Sequence, residues 1–138
     1  MKSKKLILST ILIWIAGIIF MWLTCGWLFS WVYTIPPLIW LSPEEMMSTN
    51  NMLLSNLSAL MASFLFVMVY DILYKGIPGT GIKKGLTYGL LMWLVGALSG
   101  MVTMPFYMTI ASTVIVYWVI QALVLNLLRG LIIGWIYK

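Results

Sequence analysis

The sequence predicts an all-α membrane protein, a bundle of four transmembrane helices, and three observations predict it. Of the 138 residues, 63% are hydrophobic and only 8% are charged, more apolar surface than a soluble domain of this length can bury. The apolar residues fall into four runs, each long enough for the roughly 20 residues of helix that a bilayer crossing takes. The basic residues lie only between alternate runs. The whole chain, 1–138, reads as one integral membrane domain, with helices over about 6–33, 52–74, 85–104 and 109–128 and an interfacial exit segment at 129–138.

The first run follows Lys2, Lys4 and Lys5. A basic start before an apolar stretch also describes a secretory signal, and "WLTC" before Gly26 has a lipoprotein flavour. The run is too long for a signal core and Thr24 is a poor neighbour for a modified cysteine, so it is read as the first crossing. Pro36, Pro37 and Pro43 then break the chain. "SPEEMM" reads as a short amphipathic helix in the loop: Ser42 as N-cap, Pro43 at the first helical position and Glu45 closing a capping box. "STNN" supplies a second set of caps before the second crossing.

"KGIPGTGIKKG" is a loop by its glycine and proline content. It resembles a phosphate-binding loop only superficially: Ile82 separates Gly81 from Lys83, no Ser or Thr follows the lysines, and helices flank both sides. The third crossing ends before Pro105, and "PFYMTIAS" turns the chain into the fourth.

Orientation follows from charge. Lys2, Lys4 and Lys5, then Lys75, Lys83 and Lys84, then Arg129 and Lys138 all fall on one side of four crossings, whereas the opposite loops hold Glu44 and Glu45. The positive-inside rule makes both termini cytoplasmic, in the inner or plasma membrane. Trp27, Trp31, Tyr33 and Trp40 would mark the outer boundary, and Tyr70, Tyr74, Trp135 and Tyr137 the inner one. "ILIWIAGII" and "LLMWLVGAL" align as an internal repeat, but two apolar helices align as readily by chance.

The distinctive feature is glycine in the third crossing. At 100° per residue, Gly85, Gly89, Gly96 and Gly100 share a sector of about 60°. Lipid gains nothing from such a strip. A second helix does, because backbones approach and little side-chain entropy is lost. The fourth run repeats the pattern with Ala122, Asn126, Gly130 and Gly134. These small faces either pack one bundle or join subunits. The number of them favours a homo-oligomer, or assembly with another membrane protein.

Polar groups inside the runs are few. Asp71 can pair with Lys75 or Arg129, or hold a proton or cation. Gln121 and Asn126 need partners in lipid, with Asn56, Ser58 or Ser63 of the second run, or backbone carbonyls, as candidates. Lys75, Lys83 and Lys84 are candidates for an anionic lipid headgroup. The net charge of +5 is explained by topology, so no nucleic-acid partner is implied.

Histidine is absent, Cys25 is the single cysteine and there are three acids. That leaves no metal cluster, no cofactor site and no nucleophile–base pair, so no enzyme is predicted. The eleven methionines, among them Met46, Met47, Met101, Met104 and Met108, would suit Cu(I), but methionine is the ordinary filler of apolar bundles. Two classes of function remain: assembly through small-residue helix faces, and an oligomeric channel or transporter for a small solute or ion. Transport predicts Asn126, Asn56 and Ser63 facing a continuous cavity; assembly predicts them satisfied and dry.

Overall fold

The computed structural model describes residues 2–138; Met1, the first residue of the basic start, lies outside them. The described chain is all helical, with four helices long and apolar enough to cross a membrane: Ser3–Leu28, Thr49–Leu73, Gly81–Phe106 and Ser112–Ile136. Helix α1 (Lys2–Leu23) continues as a π-helical turn, Thr24–Leu28, and then a 3₁₀ turn, Ser30–Thr34. The predicted single run over 6–33 therefore loses α-helical register at Thr24. A peptide bond at Pro36–Pro37 is cis.

One turn, α2 (Pro43–Met46), follows. Ser42 Oγ accepts from the Glu45 amide at 3.3 Å, and the Ser42 amide donates to Glu45 Oε2 at 3.1 Å. Helix α3 spans Thr49–Leu73 and is capped by Ser48, whose Oγ accepts from the Asn51 amide.

The third span is composite: α4 (Gly81–Met92), a π-helical segment Trp93–Leu98, α5 (Ser99–Thr103) and a 3₁₀ turn at Met104–Phe106. It begins at Gly81 rather than Gly85. Gly79 and Gly81 have φ of 96° and 50°, a left-handed backbone that glycine adopts without steric cost, and this folds the loop back tightly into α4.

Helix α6 covers Ser112–Ile136 without a break. Beyond the expected end of the crossing at residue 128 the chain stays helical to Ile136. Gly130 and Gly134 do not stop this helix, because its backbone there lies against α4, and that packing outweighs their low helix propensity.

Helix α4 packs along α6, while α1 packs against both α3 and α6. Ile13, Phe66, Val67, Tyr70, Ile77, Tyr88, Ile133 and Tyr137 form the core. It sits at the end of the bundle where the N-terminus, the 74–81 loop and the C-terminus meet: Tyr74 OH donates to the Tyr137 carbonyl at 3.1 Å, and Lys5 Nζ lies 5.8 Å from the Tyr137 ring. Tyr70 and Tyr137, expected at a lipid boundary, are instead core residues, stacked edge to face with ring centres 5.3 Å apart.

Candidate functional site

The six glycines singled out by the sequence do not share one environment. A Cβ placed on Gly85 would overlap the Gly130 carbonyl oxygen and lie 2.8 Å from Gly134 Cα. One on Gly134 would lie 2.6 Å from the Gly81 oxygen, and one on Gly89 would overlap the Asn126 carbonyl oxygen. Four glycines, Gly85, Gly89, Gly130 and Gly134, thus let α4 and α6 touch backbone to backbone within one chain.

Gly96 and Gly100 have no such neighbour: nothing lies within 4 Å of where their Cβ would be. The π-helical segment explains the parting. Each turn there takes up an extra residue, so the helix beyond is rotated by roughly one residue's 100° relative to a straight α-helix. Gly96 lies inside that segment and Gly100 beyond it. Around them Ser99 Oγ bonds back to the Val95 carbonyl and Thr103 Oγ1 to the Gly100 carbonyl, so the hydroxyls are turned onto their own helix. The third span is also the least covered by its own chain: 6% of its most apolar stretch is buried, against 22% for the first and fourth.

The polar candidates are dispersed. Asn56 Nδ2 donates to the Met52 carbonyl, Ser63 Oγ to the Ala59 carbonyl and Asn126 Nδ2 to the Ala122 carbonyl, each at 2.8 Å and each within its own helix. Gln121 does reach across, but to α1 rather than to the predicted partners on α3. Its Nε2 donates to Thr24 Oγ1 at 2.7 Å and to Cys25 Sγ at 2.9 Å, with Met21 Sδ at 3.6 Å. Tyr33 OH also donates to Cys25 Sγ, at 2.9 Å. Burial first, and then this contact with Cys25, push the Tyr33 phenol above its ordinary range. The π-helical turn of the first span places Thr24 and Cys25 here. No local pattern signals this cluster, because Cys25 and Gln121 are 96 positions apart and become neighbours only through the pairing of α1 with α6.

Asp71 and Arg129 do not meet. Neither enters an ion pair within 4.0 Å among the described residues, with Lys75 or with each other. Asp71 lies towards the basic end, where burial first and its negative charge second raise the Tyr137 phenol above its usual range. Arg129, expected at the interface, is half-buried towards α1 and α3: its Nη2 lies 3.8 Å from where a Cβ on Gly17 would stand, an ordinary contact distance, and its Cζ is 5.9 Å from the Phe66 ring centre.

Of the three lysines considered for a lipid headgroup, Lys75 and Lys83 are exposed and Lys84 is not. Lys84 Nζ donates to the Tyr74 carbonyl at 2.8 Å and sits 4.1 Å from the Tyr74 ring centre. It satisfies the last turn of α3, a favourable place for a cation. Two surface grooves accompany these features: one of about 420 Å³ between α1 and α3, floored by Leu6, Thr10, Leu60 and Phe64, and one of about 300 Å³ between α5 and α6, floored by Val102, Pro105, Ile115 and Val119. Both are apolar, and neither is lined by Asp71, Asn126, Arg129, Gln121 or Asn56.

No family model matches the chain, and no curated protein or solved structure is detectably similar to it.

Proposed function

We propose that this protein is an assembly element of a cytoplasmic membrane: a multi-pass protein with both termini on the cytoplasmic side, which self-associates through the Gly96–Gly100 face of its third span. The observation that carries the reading is the division of the glycines. Four are consumed in joining α4 to α6, and two are left with nothing within 4 Å. A smooth, hydroxyl-quieted strip gives a second helix close dispersion contact that lipid chains do not reward. The orientation rests on the basic residues, which occupy alternate connections.

The polar groups favour assembly over transport. A conducting path needs Asn56, Ser63 and Asn126 turned to a common cavity, whereas each bonds to its own helix. The two grooves described are apolar.

The test is the mass of the detergent-solubilised protein, by light scattering, for wild type and Gly96→Leu. Wild type is expected as an oligomer and the variant as a monomer with unchanged helix content by circular dichroism. A monomeric wild type would end the reading.

A further inference from the structure

The groove of about 420 Å³ between α1 and α3 is left unfilled by the chain's own side chains. It runs between residues 6–11 of α1 and 57–64 of α3, and no residue of the third span lines it. Thr10, its one polar lining residue, turns its hydroxyl onto the Leu6 carbonyl at 2.9 Å. The groove therefore offers only apolar contact, over about 10 Å of α3. In a bilayer such contact alone selects nothing, because lipid tails are as apolar as leucine. What the groove holds is decided by the charges at its mouth.

Two charged residues stand there, one on each wall. Asp71 is seven positions from Phe64, which is seven from Leu57, and Lys4 is seven from Ile11. Seven residues fall only about 20° short of two full turns, so each charge continues a lining row of its own helix. The start of α1 and the end of α3 meet on one residue: Lys5 Nζ is 5.8 Å from the Tyr137 ring centre, and Tyr70 stacks on the same ring at 5.3 Å. Lys4 and Asp71, their chain neighbours, thus mark the same end of the groove. Lys4 is exposed and Asp71 half-buried, and neither is in an ion pair within 4.0 Å among the described residues.

Asp71 is the only acid in a span. A carboxylate there calls for a cation, and the lysine on the other wall calls for an anion. A purely anionic lipid would answer Lys4 but set a like charge against Asp71. A ligand with an apolar tail and both charges side by side answers all three features.

We propose that the α1–α3 groove holds one phospholipid with a primary-ammonium headgroup, a phosphatidylethanolamine. One acyl chain lies between residues 6–11 and 57–64, the phosphate is at Lys4 and the ammonium at Asp71. A primary ammonium has three N–H donors for the carboxylate, and these charge-assisted hydrogen bonds are the strong ones; a choline headgroup has no N–H to give. The site is independent of self-association, since the Gly96–Gly100 face belongs to the third span.

Asp71 is the single aspartate, which makes the test direct. Protein carrying ¹³C-aspartate is placed in phosphatidylcholine vesicles with a minor fraction of ¹⁵N-phosphatidylethanolamine. In solid-state NMR the Asp71 carboxyl is expected to be dephased by the lipid nitrogen, with saturation while phosphatidylethanolamine is still the minor lipid. Met61→Trp fills the groove from an exposed position and is expected to abolish the dephasing, with helix content by circular dichroism unchanged. Native mass spectrometry gives a second readout that needs no label. Wild type is expected to retain one phosphatidylethanolamine in preference to phosphatidylcholine and phosphatidylglycerol, and Asp71→Asn to lose that preference. Dephasing that only grows in proportion to the lipid would mean bulk contact, and dephasing in protein labelled with ¹⁵N-lysine would mean an internal ion pair. Either result, no dephasing at all, or a preference for phosphatidylglycerol overturns the proposal.

Discussion

Gly85 and Gly96 belong to the same span and the same predicted strip, yet they have opposite surroundings. Gly85 is pressed against the Gly130 and Gly134 backbone; Gly96 faces open space. The bundle is uneven in the same way. Its basic end is closed by the Tyr70–Tyr88–Tyr137 core, and much of the remaining surface is exposed apolar side chain, including Trp22, Trp27, Val95 and Phe106. The comparison teaches that small-residue spacing marks a helix able to make close contact but does not say with what. The partner is settled by which way the helix is turned, and here a π-helical segment changes the turn midway.

The sharpest way to break the comparison is to give both glycines the same side chain. Gly85→Val drives a branched side chain into the α6 backbone, where no rotamer can yield. The expected loss is about 3 kcal/mol or more, beyond ordinary overpacking because the obstacle is main chain. Gly96→Val meets nothing and should change subunit stability by less than about 0.5 kcal/mol. Thermal melting by circular dichroism in detergent checks both. Equal losses would mean that the two glycines are equivalent and the division is wrong.

The closed end offers a smaller effect. Lys84→Met keeps the apolar stem and removes the ammonium that holds the Tyr74 carbonyl at 2.8 Å. A charged hydrogen bond contributes about 1.5–3 kcal/mol, and a comparable fall in stability is expected, while Lys83→Met, exposed, should be neutral. Below it, Tyr88→Phe removes the 2.7 Å bond from the Tyr88 hydroxyl to the Phe66 carbonyl and leaves the ring stacked on Tyr70. About 1 kcal/mol is expected, read in the same melting experiment.

These contacts also mark where the sequence was readable. Four apolar runs and their spacing followed from lipid solvation, which depends on composition alone, and four helices of that kind are present. The Ser42–Glu45 cap was readable because it is local. The fate of Gly96 was not, since π-helical turns have no strong composition signal. Nor was the partial burial of Arg129: a run read as ending at residue 128 placed it at the surface, whereas α4 holds the helix together for two further turns. Gln121 was flagged as needing a partner, but Thr24 and Cys25 were out of reach of any argument from local spacing. What stayed hidden in each case depends on how one helix is rotated against another.

The smallest expected effect tests the open end. Ser42→Ala removes the Oγ that accepts from the Glu45 amide and donates to Glu45 Oε2 at 2.9 Å. Loss of an N-cap costs a helix about 1 kcal/mol, but α2 is one exposed turn with no residue in the core. Its opening should therefore be local. Exchange of the Glu45 amide with deuterium is expected to quicken roughly fivefold, as about 1 kcal/mol implies, with the melting temperature unmoved. A parallel fall in melting temperature would show that the loop is coupled to the bundle, through the 2.7 Å bond from Asn51 Nδ2 to the Glu45 carbonyl and the start of α3, and the contrast between a closed and an open end would have to be redrawn.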